Sequence, residues 1–233
     1  MQARDLFAPP LSVDPLPAIA PEKARAIVVS FYMPNIPRRV VAAQRRLLKR
    51  FAPADVAGLQ IMTVRSHERA LTQFMRTTRY RVVVFLDIDC VPIGPRAIDR
   101  LVAEAERGRL VGSAQRAGHI ENGNHLYVGP FCLAIAAETY AALGRVSFAR
   151  TSRADVGEEL TFAAEEKNVP VSFLWPTASD DDIWELSPGR RFGHGTTYEN
   201  DFWHAFEIRL PSHHDKFVAR CAEFERRLPL PTR

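Results

Sequence analysis

From Ala24 onward the apolar positions alternate between short continuous runs and longer stretches that recur every three to four residues, which predicts strands interleaved with helices. Residues Ala26 to Tyr32 (AIVVSFY) predict a buried strand, and Arg38 to Phe51 a helix turning Val40, Val41, Leu47, Leu48 and Phe51 inward. Leu59 to Val64 predicts a second strand. Ser66 then stands where it can cap a helix, with Arg69 rather than an acid three positions on, so only half of a capping box is present. Val82 to Leu86 predicts a third strand. Pro95 suits the first turn of a helix whose apolar positions Ile98, Leu101, Val102 and Ala105 run until Gly108. Leu110 to Ser113 predicts a fourth strand, and His125 to Ala136 a longer apolar run broken at Gly129-Pro130. Ala137 to Leu143 predicts a helix stopped by Gly144, Val156 to Glu166 another helix, and Val169 to Leu174 a last strand. The expected architecture is α/β, Rossmann-like, with a mostly parallel central sheet flanked by helices on both faces and ligands at the carboxyl ends of the strands.

Ahead of this pattern, residues 1–23 carry Pro9, Pro10, Pro15, Pro17 and Pro21, which deter a helix and predict an irregular proline-rich arm. Residues 24–233 are of a size for one core, so a single domain is expected. Apolar content of 46% and charged content of 25% are those of an ordinary globular protein. No stretch reaches the length of a membrane span, and no apolar leader with a cleavage site is visible. Cys90, Cys132 and Cys221 are far apart in sequence, without a CxxC pair, which disfavours a disulfide framework or a zinc site and fits a cytoplasmic setting. The formal charge of +4 comes largely from scattered arginines, including the pairs Arg38-Arg39, Arg45-Arg46, Arg190-Arg191 and Arg226-Arg227. Such a balance suits an anionic substrate or peripheral association with an anionic membrane surface. Nucleic acid is not an expected partner, because no basic stripe is interleaved with aromatics.

The sharpest chemical feature is RVVVFLDIDCVP, Arg81 to Pro92, where an apolar run leads into two aspartates separated by one isoleucine. Strand alternation would place Asp87 and Asp89 on one face with Ile88 turned away. Two carboxylates at a strand end suit a hard divalent cation that keeps positions free for phosphate oxygens. A second acidic group, Asp155, Glu158 and Glu159, lies at an expected helix start. Acids there are favoured by the helix dipole alone, and equally provide a carboxylate able to take a proton from a hydroxyl. Downstream, Gly193-His194-Gly195-Thr196-Thr197-Tyr198 reads as flexible and polar, a candidate lid, and Asp180-Asp181-Asp182 as a solvated loop. His213-His214 reads as exposed loop.

The order of these parts, a βαβαβ half ending in Asp87-Ile88-Asp89, then HLYVGPFCLAIAAETYAALG, then DVGEEL, resembles the GT-A glycosyltransferases across roughly residues 25–210. The resemblance implies that Asp87 and Asp89 hold Mn²⁺ or Mg²⁺ against the diphosphate of a UDP- or GDP-sugar. Asp89 would be the more direct ligand, and Asp87 would act through water or the ribose hydroxyls. It further implies that Ser30, Tyr32 and Arg65, at the first two strand ends, meet the nucleotide. One of Asp155, Glu158 and Glu159 would be the base of an inverting transfer to a glycan or other hydroxyl acceptor. A late histidine, His204 in preference to His194, would complete the metal shell.

A rival resemblance, to haloacid-dehalogenase-like phosphatases, uses the same aspartates. There Asp87 would be the nucleophile, Asp89 the acid/base, Lys167 a charge partner and Asp181 or Asp182 a Mg²⁺ ligand. Two departures weigh against it: about three elements precede the motif, and Cys90-Val91-Pro92 follows it rather than Gly, Thr or Ser. A non-catalytic sugar-nucleotide-binding protein is the third expectation, and it predicts donor binding without turnover. A nucleotidyltransferase would want a glycine-rich, basic N-terminal loop, which the sequence lacks.

Overall fold

The computed structural model describes residues 16–117 and 125–227. In chain order the elements are β1 (Ala26–Tyr32), α1 (Arg38–Phe51), β2 (Val56–Met62), α2 (His67–Thr77), β3 (Val82–Leu86), β4 (Cys90–Pro92), α3 (Ala97–Glu106), β5 (Leu110–Arg116) and β6 (Leu126–Ala136). They continue with α4 (Ala137–Ala142), α5 (Glu158–Glu166), β7 (Val171–Leu174), β8 (Pro176–Ala178), β9 (Asp181–Ser187), β10 (Arg190–His194), β11 (Thr196–Tyr198), β12 (Phe202–His204) and α6 (Pro211–Arg227).

Among the described residues the main sheet has the order β2-β1-β3-β6-β5-β7. β1 runs parallel to β2 and β3, and β5 parallel to β7; β6 alone is reversed against both of its neighbours. The α/β architecture with a mostly parallel sheet is therefore the one observed. Helices cover both faces, which is why β1 and β3 read as unbroken apolar runs rather than alternating ones. Within β1, Ile27, Val29 and Phe31 meet α2, α4 and α5 through Leu71, Phe74, Tyr140 and Leu160. Ala26 and Val28 face the other way, toward Ile98, Leu101 and Val102 of α3. A third apolar cluster joins Val40, Leu47 and Phe51 of α1 to Trp203, Phe217 and Cys221, and so ties α6 to the side of the sheet.

Several local expectations are corrected. The second strand is Val56–Met62 and not Leu59–Val64, because all seven residues of β1 pair with it in register; Val64 beyond its end is 87% exposed. Ala57-Gly58 conceals the start, being weak strand formers that work here inside a parallel ladder. Ser66 occupies the N-cap position of α2 but makes no side-chain cap. Gly129-Pro130 does not break the run His125 to Ala136: β6 is continuous from Leu126. The ladder to β5 is irregular between Gly112 and Ala114, opposite this dipeptide, so the absent N–H of Pro130 falls in a bulge. The helix expected from Val156 begins at Glu158, after Gly157 at φ +82°.

The downstream region is more ordered than its composition implies. Asp181 and Asp182 open β9, which pairs with β10 in an antiparallel hairpin. The segment expected to be a flexible lid is β10 followed by β11, with Thr196 and Tyr198 buried. The Thr196 hydroxyl donates to the Gly193 carbonyl (2.7 Å) and accepts from the Gly193 N–H (2.8 Å), fixing the glycine that was expected to flex. His214 is buried in α6 and bonds the Ile208 carbonyl through Nε2 (2.9 Å) instead of lying in an exposed loop. A second small sheet has the order β4-β12-β11-β8.

Of the proline-rich arm, Pro9, Pro10 and Pro15 lie outside the described residues. Leu16 is buried against Gly58, and the Gly58 N–H donates to the Pro17 carbonyl (3.1 Å), so residues 16 and 17 lie along β2. Among the described residues no helix is long and apolar enough to cross a membrane.

Candidate metal centre

β3 ends at Leu86, and the next four residues form a turn in which the Cys90 N–H donates to the Asp87 carbonyl (2.8 Å). Asp87 and Asp89 therefore converge through a tight turn and not through strand alternation, while Ile88 is turned away as expected, into the core between α1 and α6. The turn is held on two further sides. The Asp87 N–H donates to the Phe131 carbonyl of β6 (2.9 Å). Gln44, a wholly buried polar residue in the apolar stripe of α1, donates to the carbonyls of Asp87 (2.6 Å) and Cys90 (2.9 Å). Gln60 of β2 holds Gln44 in turn, donating to its Oε1 (2.8 Å) and accepting from Arg45 (2.7 Å).

β4 then pairs antiparallel with β12, placing His204 opposite Cys90. The Ala205 N–H donates to the Asp89 carbonyl (3.1 Å), so backbone bonds set the distance between the two side chains. His204 Nε2 lies 3.2 Å from Asp89 Oδ1, with both side chains almost fully buried. One ligand atom from each of Asp87, Asp89 and His204 falls within 4.8 Å of the others. The His204 ring stacks on Phe131 (centroids 4.3 Å apart, 16° between planes) and touches Phe206 (3.8 Å), which fixes its orientation.

The donor set fits a divalent cation. Two carboxylates supply the oxygen ligands that Mn²⁺ and Mg²⁺ take, and the added imidazole favours Mn²⁺, the softer of the two. Two donors at right angles around an ion about 2.1 Å away lie roughly 3 Å apart, close to the Asp89–His204 separation. Without an ion the arrangement is electrostatically uneasy. Asp87 keeps 31% of its side-chain surface, yet protein crowds its carboxyl. Burial pushes its pKa above the usual carboxylate range; His67 draws it down, the Asp89 charge raises it further and His204 again lowers it. Burial and a hydrogen bond with Cys132 also push the Cys90 thiol up, so the cysteine beside the acids is an unreactive thiol.

The expected nucleotide-facing residues sit at the same edge of the sheet. Tyr32, at the end of β1, is half-buried and lines a recess of about 120 Å³ with Pro34, Arg38, Arg45 and Met62. Burial raises its phenol pKa, with Arg45 and Arg38 opposing. Arg65 follows β2, its backbone N–H bonded to Thr63 Oγ1 (3.0 Å); among the described residues its guanidinium has no partner. Ser30 is fully enclosed within β1 and its Oγ has no hydrogen-bond partner.

The second acidic group divides by environment. Glu158 has no exposed surface: one oxygen meets His125 Nδ1 (2.7 Å), and the other accepts from the Asp155 N–H (2.7 Å). It frames the turn into α5, and among the three acids it is the one the structure closes off. Glu159 accepts from Arg153 (2.7 Å) and Thr151 (2.8 Å), and the Arg153 hydrogen bond holds its pKa low. Asp155 accepts from Arg150 (2.9 Å) and from the Val156 N–H (2.8 Å) and lies 3.5 Å from the Tyr127 hydroxyl. Tyr127 and Phe131 are four positions apart on β6, on the order of 13 Å along a strand. The reversed strand thus links the two acidic groups, one at each of these aromatics.

Other candidates are engaged elsewhere. Lys167 donates to the Ala142 carbonyl (2.8 Å), and Asp181 is exposed beside His194 (3.8 Å), which also meets Glu207 (3.1 Å). Among the described residues the Asp180–Asp182 run does not join the Asp87 cluster. Sequence reasoning did not find Gln44, Gln60, His67 or Phe131. Gln44 left one signal, a polar residue at helical spacing between Val40-Val41 and Leu47-Leu48.

Fold and site together define an α/β protein with a cluster of two carboxylates and an imidazole, able to hold a cation, at the carboxyl edge of its parallel strands. No family model matches the chain, and no curated protein matches it. Among solved structures it is similar to A197 from STIV, at 18% identity over 64% of this chain and 81% of that one, with a TM-score of 0.38. It is similar to Drosophila β1,4-galactosyltransferase 7, solved with manganese, UDP-Gal and xylobiose, at 12% identity over 79% and 72% of the two chains and a TM-score of 0.46. It is also similar to 2-C-methyl-D-erythritol 4-phosphate cytidylyltransferase from Thermus thermophilus, at 9% identity over 84% and 98%, with a TM-score of 0.41. Likeness at these values leaves the function to be argued from the chain's own residues.

Proposed function

We propose that the chain is a metal-dependent glycosyltransferase of GT-A type. It would move a sugar from a UDP- or GDP-sugar to a hydroxyl of a glycan or other acceptor, with inversion, and residues 24–233 would form one catalytic unit. The observation that carries this reading is the convergence of Asp87, Asp89 and His204 at the carboxyl edge of the parallel strands. Asp89 and His204 would hold Mn²⁺ or Mg²⁺ directly, with Asp87 on the open side nearer the donor. When bound, the cation stabilises the charge that a departing nucleoside diphosphate accumulates. Tyr32 offers a face for the base, with Ser30 beneath it, and Arg65 a guanidinium for a phosphate or a base edge. Asp155 and Glu159, which keep some surface, are the acids available to take the acceptor proton, while Glu158 holds their turn.

The test is a titration calorimetry screen of UDP, GDP, CDP and their sugars, with and without Mn²⁺. The expected result is diphosphate binding that needs the metal and vanishes in Asp89→Ala. Phosphorylation of Asp87 by a phosphate ester, without nucleotide binding, would overturn the proposal.

A further inference from the structure

We infer that His67 is a positioning residue for the metal centre, acting through the carboxylate of Asp87. This rests on the reading of Asp87, Asp89 and His204 as the cation site. His67 is the first residue of α2, which follows β2, two strands away from β3 in the sheet. Its imidazole reaches across the end of β1, and Nε2 lies 3.2 Å from Asp87 Oδ1. It does not share the mutual 4.8 Å spacing of Asp87, Asp89 and His204, so it flanks Asp87 from outside the cluster.

Two observations separate this contact from an ordinary surface ion pair. The His67 side chain keeps 34% of its surface, yet Nε2 itself is enclosed and has no aligned hydrogen-bond partner among the described residues. A ring nitrogen shut away from water and aimed at a carboxylate without an in-line bond is an arrangement that a small carboxylate rotation completes. The Asp87 backbone cannot supply that movement, because its N–H and carbonyl are fixed by Phe131, Cys90 and Gln44. Only the side-chain torsions remain free. With Nε2 protonated, His67 donates to Oδ1 and leaves the other oxygen facing the cation site, for the ion or its bound water, and the same hydrogen bond keeps Asp87 from swinging into solvent. Hydrogen-bonded partners of metal-ligating side chains typically change metal affinity by roughly 10–100-fold when removed.

The experiment measures Mn²⁺ affinity of the full chain by electron paramagnetic resonance, in the absence of any donor, alongside metal-free melting temperatures. His67→Ala is expected to weaken Mn²⁺ binding by roughly 10–100-fold with an unchanged metal-free melting temperature. His67→Gln, whose amide can still donate to Asp87, is expected to recover most of the loss. Wild-type affinity in His67→Ala, in a preparation where Asp89→Ala abolishes binding, overturns the inference and leaves the metal site standing. A loss in His67→Ala that His67→Gln shares in full also overturns it, because a hydrogen-bond donor is then not the requirement. Failure of the unaltered chain to bind Mn²⁺ overturns the cation site, and this inference with it.

Discussion

His204 Nε2 lies 3.2 Å from Asp89 Oδ1 although 115 positions separate the two residues in the chain. The contact is set by backbone: β12 pairs with β4 so that His204 faces Cys90, and the Ala205 N–H holds the Asp89 carbonyl. If these side chains share one cation, their losses are expected not to add. Asp89→Ala and His204→Ala are each expected to weaken Mn²⁺ binding by about 100-fold or more, roughly 2.8 kcal/mol. The double variant should be little worse than Asp89→Ala alone. Calorimetric titration of the three variants checks this, and additive losses would show that the two side chains act independently.

Asp87 gives a pH prediction with a definite sign. Its folded-state pKa is raised above the unfolded value near 3.8, chiefly by burial. Between those values the folded state binds the proton that the unfolded state has released, so metal-free stability falls as pH rises through that window. Asp87→Asn should flatten the dependence, raise the melting temperature in EDTA at pH 7, and weaken metal binding. Melting curves of both proteins from pH 4 to 8, with and without Mn²⁺, decide it.

Gln44 is expected to be a stability residue as much as a site residue. Gln44→Leu strips hydrogen bonds from the buried carbonyls of Asp87 and Cys90 and leaves Gln60 without one acceptor. The cost should be about 2–4 kcal/mol, at one to three per unsatisfied group with partial relaxation. Urea denaturation measures it, and an unchanged midpoint would show that the turn stands without α1.

The two sides of the second acidic group should separate in a paired assay. Glu158→Ala leaves His125 and the Asp155 N–H without their acceptor and is expected to lower stability by about 1–3 kcal/mol. Asp155→Asn and Glu159→Gln are expected to preserve the melting temperature within a few degrees, and the one that supplies the base should lower kcat steeply. Equal kcat in both variants would remove this group from the chemistry.

Gly157 precedes α5 at φ +82°, and a Cβ there would lie 3.2 Å from Pro130. Gly157→Ala should therefore cost about 1–2 kcal/mol from the left-handed backbone alone. A chemical denaturation curve tests it, and a neutral effect would mean that the turn relaxes freely.

The parts of the fold visible in sequence were those whose signal is local. β1, β3, α1 and α3 stand on continuous apolar runs or helical periodicity, and Asp87-Ile88-Asp89 marked the strand end at which the Asp87, Asp89 and His204 side chains gather. Contacts across long separations left no such trace. The β4–β12 pairing joins two three-residue strands too short to show a period, and it alone gives His204 its place. The β9–β10 hairpin hid behind three aspartates and a glycine-flanked histidine, a composition that resembles loop, because its exposed edge needs few apolar residues. His67 looked like an ordinary first residue of a helix, and its aim at Asp87 depends on strand order. Glu158 was indistinguishable from Glu159 by position, and only burial separates a carboxylate that frames a turn from one open to substrate.

The course of residues 16–18 along β2 has a consequence for the molecule in solution. β2 is the outermost strand on its side of the sheet, and Pro17 accepts from the Gly58 N–H while Leu16 fills the space above the glycine. Outer strands with free backbone groups invite pairing between molecules. A proline-bearing segment laid along such a strand satisfies part of it and cannot itself extend into a new regular ladder. Residues 16 and 17 therefore cover part of that edge and leave less of it open to a second molecule. A chain trimmed to begin at Ala24 would be expected to keep its cation centre and yet form larger species as its concentration rises, which light scattering would reveal.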